Sequence, residues 1–98
     1  MNIQAMMKQA QKMQADMMKA KKEIDDTVYE GKSSLVTVEV KGSKEVVKVK
    51  IDAEIVEKDE IEMVEDMILV ALNDAMKKID ADTELKMGKY TKGMPGLF

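Results

Sequence analysis

From residue 3 to residue 24 apolar side chains recur in alternating steps of three and four. Ile3, Ala10, Met17 and Ile24 fall seven apart, and Met6, Met13 and Ala20 follow the first three of them by three. That is the a/d pattern of a helical seam. The segment lacks Gly and Pro and is rich in Ala, Met, Gln and Lys, residues that hold helical dihedrals easily. The spacing predicts a helix from about residue 2 to about residue 25. Period two then takes over. "TVYEG" reads as a first strand ending at Gly31 and "KSS" as a turn. Val36, Val38 and Val40 alternate with Thr37, Glu39 and Lys41, and Val47, Val49 and Ile51 with Val46, Lys48 and Lys50. Gly42-Ser43 suits a two-residue hairpin turn. If Lys41 faces Lys44, Val38 faces Val47 and Val36 faces Val49, and the apolar residues share one face.

After the connection "DAEIVEKD", Asp59 followed by Glu62 predicts an acidic capping box. Ile61, Val64, Ile68, Ala71, Leu72, Ala75 and Ile79 form the stripe of a second helix, from about residue 60 to about residue 87, with Gly88 as its stop. The tail "GKYTKGMPGLF", residues 88–98, reads as irregular. The expectation is one α+β domain over 1–98 with order α-β-β-β-α: helix about 2–25, antiparallel sheet about 27–52, helix about 60–87. Two long helices overhang so small a sheet, and their projecting apolar stripes call for a partner, most economically a second copy.

Composition excludes much chemistry. Neither Cys nor His is present in the 98 residues, which removes thiolate sites and the commonest metal ligand and general base. No Gly-rich phosphate loop is present, so an enzyme is not expected, and neither is a cofactor or a small-molecule substrate. The thioethers of Met6, Met7, Met13, Met17 and Met18 could hold cuprous copper, but packing on the seam explains most of them, and no metal is expected. Glu62, Glu65 and Asp66 read as a solvated acidic face. Asn73 interrupts the second apolar stripe, either to fix the register of a dimer or to face solvent. No apolar run approaches a membrane span, and Lys8 and several glutamines break the start as a signal peptide, so a cytoplasmic protein is expected.

The net charge of −3 is unevenly placed. Residues 1–22 carry Lys8, Lys12, Lys19, Lys21 and Lys22 against Asp16 alone, a local +4, whereas residues 52–84 carry three lysines against twelve acids, a local −9. Lys86, Lys89 and Lys92 follow with no acid. On the heptad wheel Lys8 and Lys22 take f, Lys12 and Lys19 take c, and Lys21 takes e, mostly opposite the seam. Such a face can meet phosphates, with salt-dependent affinity. Arginine is absent and aromatics number three, so arginine–guanine contacts and a base-stacking sheet are unavailable.

"MMKQAQKMQADM", "VTVEVKGSKEVVKVKID", "LVALNDAMKK" and "MGKYTKGMPGLF", in that order along the chain, resemble the YbaB/EbfC family of bacterial nucleoid-associated proteins. One departure is Ala53, where the family typically has proline after "ID". The resemblance implies a tweezer-like homodimer of α-β-β-β-α protomers that binds double-stranded DNA at the nucleoid. Lys8 and Lys12 lie within a matched block. Charge and helical phase extend the expected DNA-binding set to Lys19, Lys21 and Lys22, with Lys86, Lys89 and Lys92 from the basic C-terminal segment. The seam Ile3, Met6, Ala10, Met13, Met17, Ala20 and Ile24 is expected to pack, within the protomer or across the dimer. The alternative is a dimeric adaptor that docks another protein on its methionine-rich helix.

Overall fold

The computed structural model describes residues 2–91. Helix α1 spans Ile3–Asp26, strands β1, β2 and β3 span Val28–Ser33, Val36–Lys41 and Val46–Ile51, and helix α2 spans Ile61–Thr91 after a short 3-10 turn, Lys58–Glu60. The fold is α+β with order α-β-β-β-α, as expected. The sheet is antiparallel in the order β1-β2-β3.

Asn2 starts α1, its side-chain oxygen accepting the Gln4 backbone N–H at 3.0 Å; this satisfies one of the orphan donors of a helix start. Thr27 ends it in extended conformation, with its N–H and hydroxyl both donating to the Glu23 carbonyl.

The sheet departs from expectation at both turns. Strand β1 does not stop at Gly31 but continues to Ser33, and the turn is Ser34-Leu35, with Ser34 at φ 49°. The second hairpin is not closed by Gly42-Ser43 alone. Lys44 adopts φ 78°, and the Lys41 N–H donates to the Glu45 carbonyl. The loop is thus one residue longer, with the left-handed position that follows a type I turn. A bulge then leaves Val47 unmatched, because Glu39 pairs with Lys48 and Val40 with Val46. One extra loop residue and one bulge residue shift the register by two, so Val38 faces Val49 and Val36 faces Ile51. An even shift keeps the apolar side chains on one face.

Helix α2 is also longer than its stripe predicts. The capping box is Glu57 with Glu60, at the 3-10 turn, rather than Asp59 with Glu62. Gly88 does not stop the helix: a Cβ there would meet open space, and helical backbone continues to Thr91. Residues 88–91 of the expected irregular tail are therefore helical, and 92–98 lie outside the described residues.

The core forms where α2 lies over β1 and β2. Val36, Val38 and Val40 meet Val64, Ala71, Ala75 and Ile79 there, all buried, with Met67, Ile68 and Leu72 packed at the margin. Small residues bring the layers close. A Cβ on Gly31 would lie 2.0 Å from the Ala71 carbonyl oxygen and 2.7 Å from the Ala75 nitrogen. The same helix closes the outer edge of β1. Asp74 accepts the Lys32 backbone N–H at 3.1 Å, Lys78 donates to the Glu30 carbonyl at 2.8 Å, and these two side chains pair at 3.3 Å. Asn73 is exposed.

Tyr29 adds a third tie between β1 and α2, its hydroxyl donating to Asp82, which also pairs with Lys86 at 2.9 Å. Burial, then Asp82, pushes the Tyr29 hydroxyl up to about 12 from 10.0. The Tyr29 hydrogen bond, then Lys86, holds the Asp82 carboxyl below its ordinary 3.8. The phenol's contribution is complete below pH 10.0 and lost as pH rises through about 12. The carboxylate's is complete above pH 3.8 and lost as pH falls through the lower folded-state value. Tyr29→Phe is expected to cost about 1–2 kcal/mol in urea unfolding at pH 7. That difference should shrink in acid, once Asp82 is protonated.

Candidate nucleic-acid interface

Helix α1 is a projecting arm. A compact chain of this size has a radius of gyration of about 13 Å; here it is 19.3 Å, with extents of 71 × 20 × 14 Å. Only the end of the seam is packed. Ile24 is buried and Met17 and Ala20 are half-buried, whereas residues 2–16 are all exposed, Ile3 at 72%. The arm is rooted by Ile24 against Gly42 of the β2–β3 turn, where a Cβ would lie 1.9 Å from the Ile24 carbonyl oxygen. Beside it a recess of about 480 Å³ runs between α1, that turn and Ile79, Thr83 and Met87 of α2. Lys44 spans the turn to α2, 2.9 Å from Asp80.

The candidate cations differ in their surroundings. Lys21 pairs with Asp25 at 3.2 Å and Lys22 with Asp26 at 2.9 Å. The hydrogen bond between Lys22 and Asp26, reinforced by their charges, raises the lysine above its ordinary value and lowers the carboxylate below its own. The root of the arm is therefore largely neutralised. The sequence carried this signal in its i,i+4 spacing, just beyond the +4 segment. Lys8, Lys12 and Lys19 have no ion-pair partner among the described residues and stand on the exposed side of the arm. Lys86 is engaged with Asp82, Lys89 sits 5.0 Å over the Tyr90 ring, and Lys92 lies outside the described residues.

A different surface is left open on the body. Helix α2 covers β1 and β2 but not β3. Val49 and Ile51 share a face with Val38 and Val36, yet remain 46% and 36% exposed. Ile61 and Leu69 of α2 are exposed as well.

Among the described residues no cluster of carboxylates is placed to hold a metal ion, and no helix is long and apolar enough to cross a membrane. A nucleoid-associated protein of Bacillus licheniformis is 52% identical over 101 residues, covering 99% of this chain and 94% of the relative. One from Ligilactobacillus salivarius is 42% identical over 99 residues, covering 99% and 95%. An uncharacterized protein, HP0035, from Helicobacter pylori shares the fold at TM-score 0.69 and 22% identity, over 98% of this chain and 99% of that one. The model of the YbaB/EbfC DNA-binding family matches residues 1–94. With that match over nearly its whole length, the chain belongs to the YbaB/EbfC DNA-binding family, a family of bacterial nucleoid-associated proteins rather than of enzymes.

Proposed function

We propose that the protein acts as a tweezer-like homodimer that holds double-stranded DNA by its phosphates, on the nucleoid in the cytoplasm. The observation that carries this reading is the arm itself: an exposed helix whose Lys8, Lys12 and Lys19 face solvent with no carboxylate partner among the described residues. Lys21, Lys22, Lys86 and Lys89 contribute secondarily, since each already has a partner; Lys92 follows Lys89 by three residues in the sequence and adds one more positive charge. The acidic run of residues 52–84 keeps the duplex away from the body and confines it to the arms. Gel-shift titration of a duplex across a salt series tests the proposal. Affinity should fall linearly on a log–log plot with a slope of about −0.9 per phosphate neutralised. Binding indifferent to salt would refute it.

The second copy is expected on the face that α2 leaves open, where Val49 and Ile51 of the edge strand β3 are exposed. The β1 edge is closed by Asp74 and Lys78, so β3 offers the unprotected one. Val49→Asp is expected to turn dimer into monomer in light scattering while leaving the circular dichroism helical. A dimer that persists places the interface elsewhere.

The adaptor reading is favoured by one observation, the exposure of Met6, Met7, Met13 and Met18 on the arm. Pull-down from nuclease-treated lysate separates the two: a retained protein partner supports the adaptor, and loss of all partners supports DNA.

A further inference from the structure

We infer that Gln4 and Gln11 read adenines in the major groove, so that the arm selects sequence as well as holding phosphate. The inference rests on the DNA-binding reading above and adds a specificity to it. Both glutamines occupy b positions of the heptad, next to the c and f positions of Lys8, Lys12 and Lys19 and away from the seam. All five are exposed, and neither glutamine side chain makes a hydrogen bond among the described residues. No described residue uses these amides. Their bland role is as helix formers, which any of several residues could fill.

Geometry suits them to base edges. Two helical turns separate them, about 10.5 Å along the axis, and this matches about three base pairs at ~3.4 Å each. Residues 2–16 are exposed all along this side of the arm, and a helix of about 10–12 Å diameter fits a major groove of about 12 Å. Ala15 continues the face with a small side chain, which allows close approach, while Lys8 between the glutamines and Lys12 and Lys19 beside them reach for the backbone. A glutamine amide has both a donor and an acceptor and can match the N7 acceptor and N6 donor of adenine together. Arginine, the usual reader of guanine, is absent from the chain.

The test uses the full-length protein and three duplexes of equal length and charge. One carries adenines three base pairs apart on one strand, one has guanines in their place, and one has 7-deazaadenine, which pairs normally but lacks the N7 acceptor. Wild type is expected to bind the adenine duplex roughly tenfold more tightly than either other. In the Gln4→Ala/Gln11→Ala variant the three affinities should converge. Helicity by circular dichroism confirms that the variant is folded. The 7-deaza duplex separates major-groove readout from recognition of a narrow A-tract minor groove. Equal wild-type affinities, or a preference that survives in the double variant, would overturn the inference. Absence of binding to all three would instead remove the DNA reading, and this inference with it.

Discussion

Gly31→Ala is expected to cost about 3 kcal/mol in urea unfolding, and Gly31→Val to leave no folded protein at 37 °C. The position looks undemanding, since it lies within a regular strand at ordinary φ. What constrains it is the helix above. The added Cβ would come within 2.0 Å of a backbone carbonyl and 2.7 Å of a backbone nitrogen. Backbone cannot rotate away as a side-chain tip can, so α2 must lift from β1 as a body. Lifting it loosens the Asp74 and Lys78 contacts to β1 and the Tyr29–Asp82 bond together. A domain of about 100 residues has only about 5–15 kcal/mol in hand. Gly88→Ala is the matched control. There the Cβ meets open space on a helix, and a gain of about 0.5–1 kcal/mol is expected. A Gly31→Ala protein as stable as wild type would mean that the two layers do not meet as described.

Charge reversal at Lys8, Lys12 and Lys19 together should lower affinity for duplex DNA more than about 100-fold at 0.1 M salt. Reversal both removes a favourable contact and places an acid against phosphate. In a dimer it acts on both arms. The same change at Lys21 and Lys22 should cost far less, because Asp25 and Asp26 already neutralise them. The contrast makes the experiment informative: charge changes by two per substituted residue in both cases, but the cations without an acidic neighbour are expected to carry most of the affinity. These side chains are exposed and the helix propensity of Glu matches that of Lys, so thermal unfolding should barely move. If the reversal at the root proved as damaging as that on the arm, the interface would lie at the root. If neither mattered, phosphate contacts would have to be sought off α1 altogether.

Periodicity made the element order legible. The heptad of α1 and the alternation of β2 and β3 leave little choice of secondary structure, and the hairpin's apolar face survived the wrong register because the error was even. What escaped was conformational. Lys44 takes a left-handed φ that favours glycine, and Val47 bulges from a run of valines; neither leaves a mark in residue type. Gly88 shows the opposite failure, since a glycine permits a helix end without requiring one. The packing seam is visible along its whole length, but among the described residues only Met17, Ala20 and Ile24 of the seam are buried or half-buried. Burial depends on how far α2 reaches, and that follows from where the helix ends rather than from the pattern of α1. Among the candidate cations, a charge count stopped at residue 22 hid Asp25 and Asp26, the two side chains that distinguish the root of the arm from its tip.

The close fit of Gly42 under Ile24 also sets the mechanics of the arm. Met17 and Ile24 are about 10.5 Å apart along the helix, and Ile3 lies about 21 Å beyond Met17. An arm that pivots at Met17 is therefore a lever of roughly two to one. Each ångström of displacement at Gly42 becomes roughly 2 Å at the tip, and two opposed arms would double the change in the gap between them. In the proposed dimer, with a duplex groove only about 12 Å wide, a single methyl at residue 42 would be enough to change the gap between the arms.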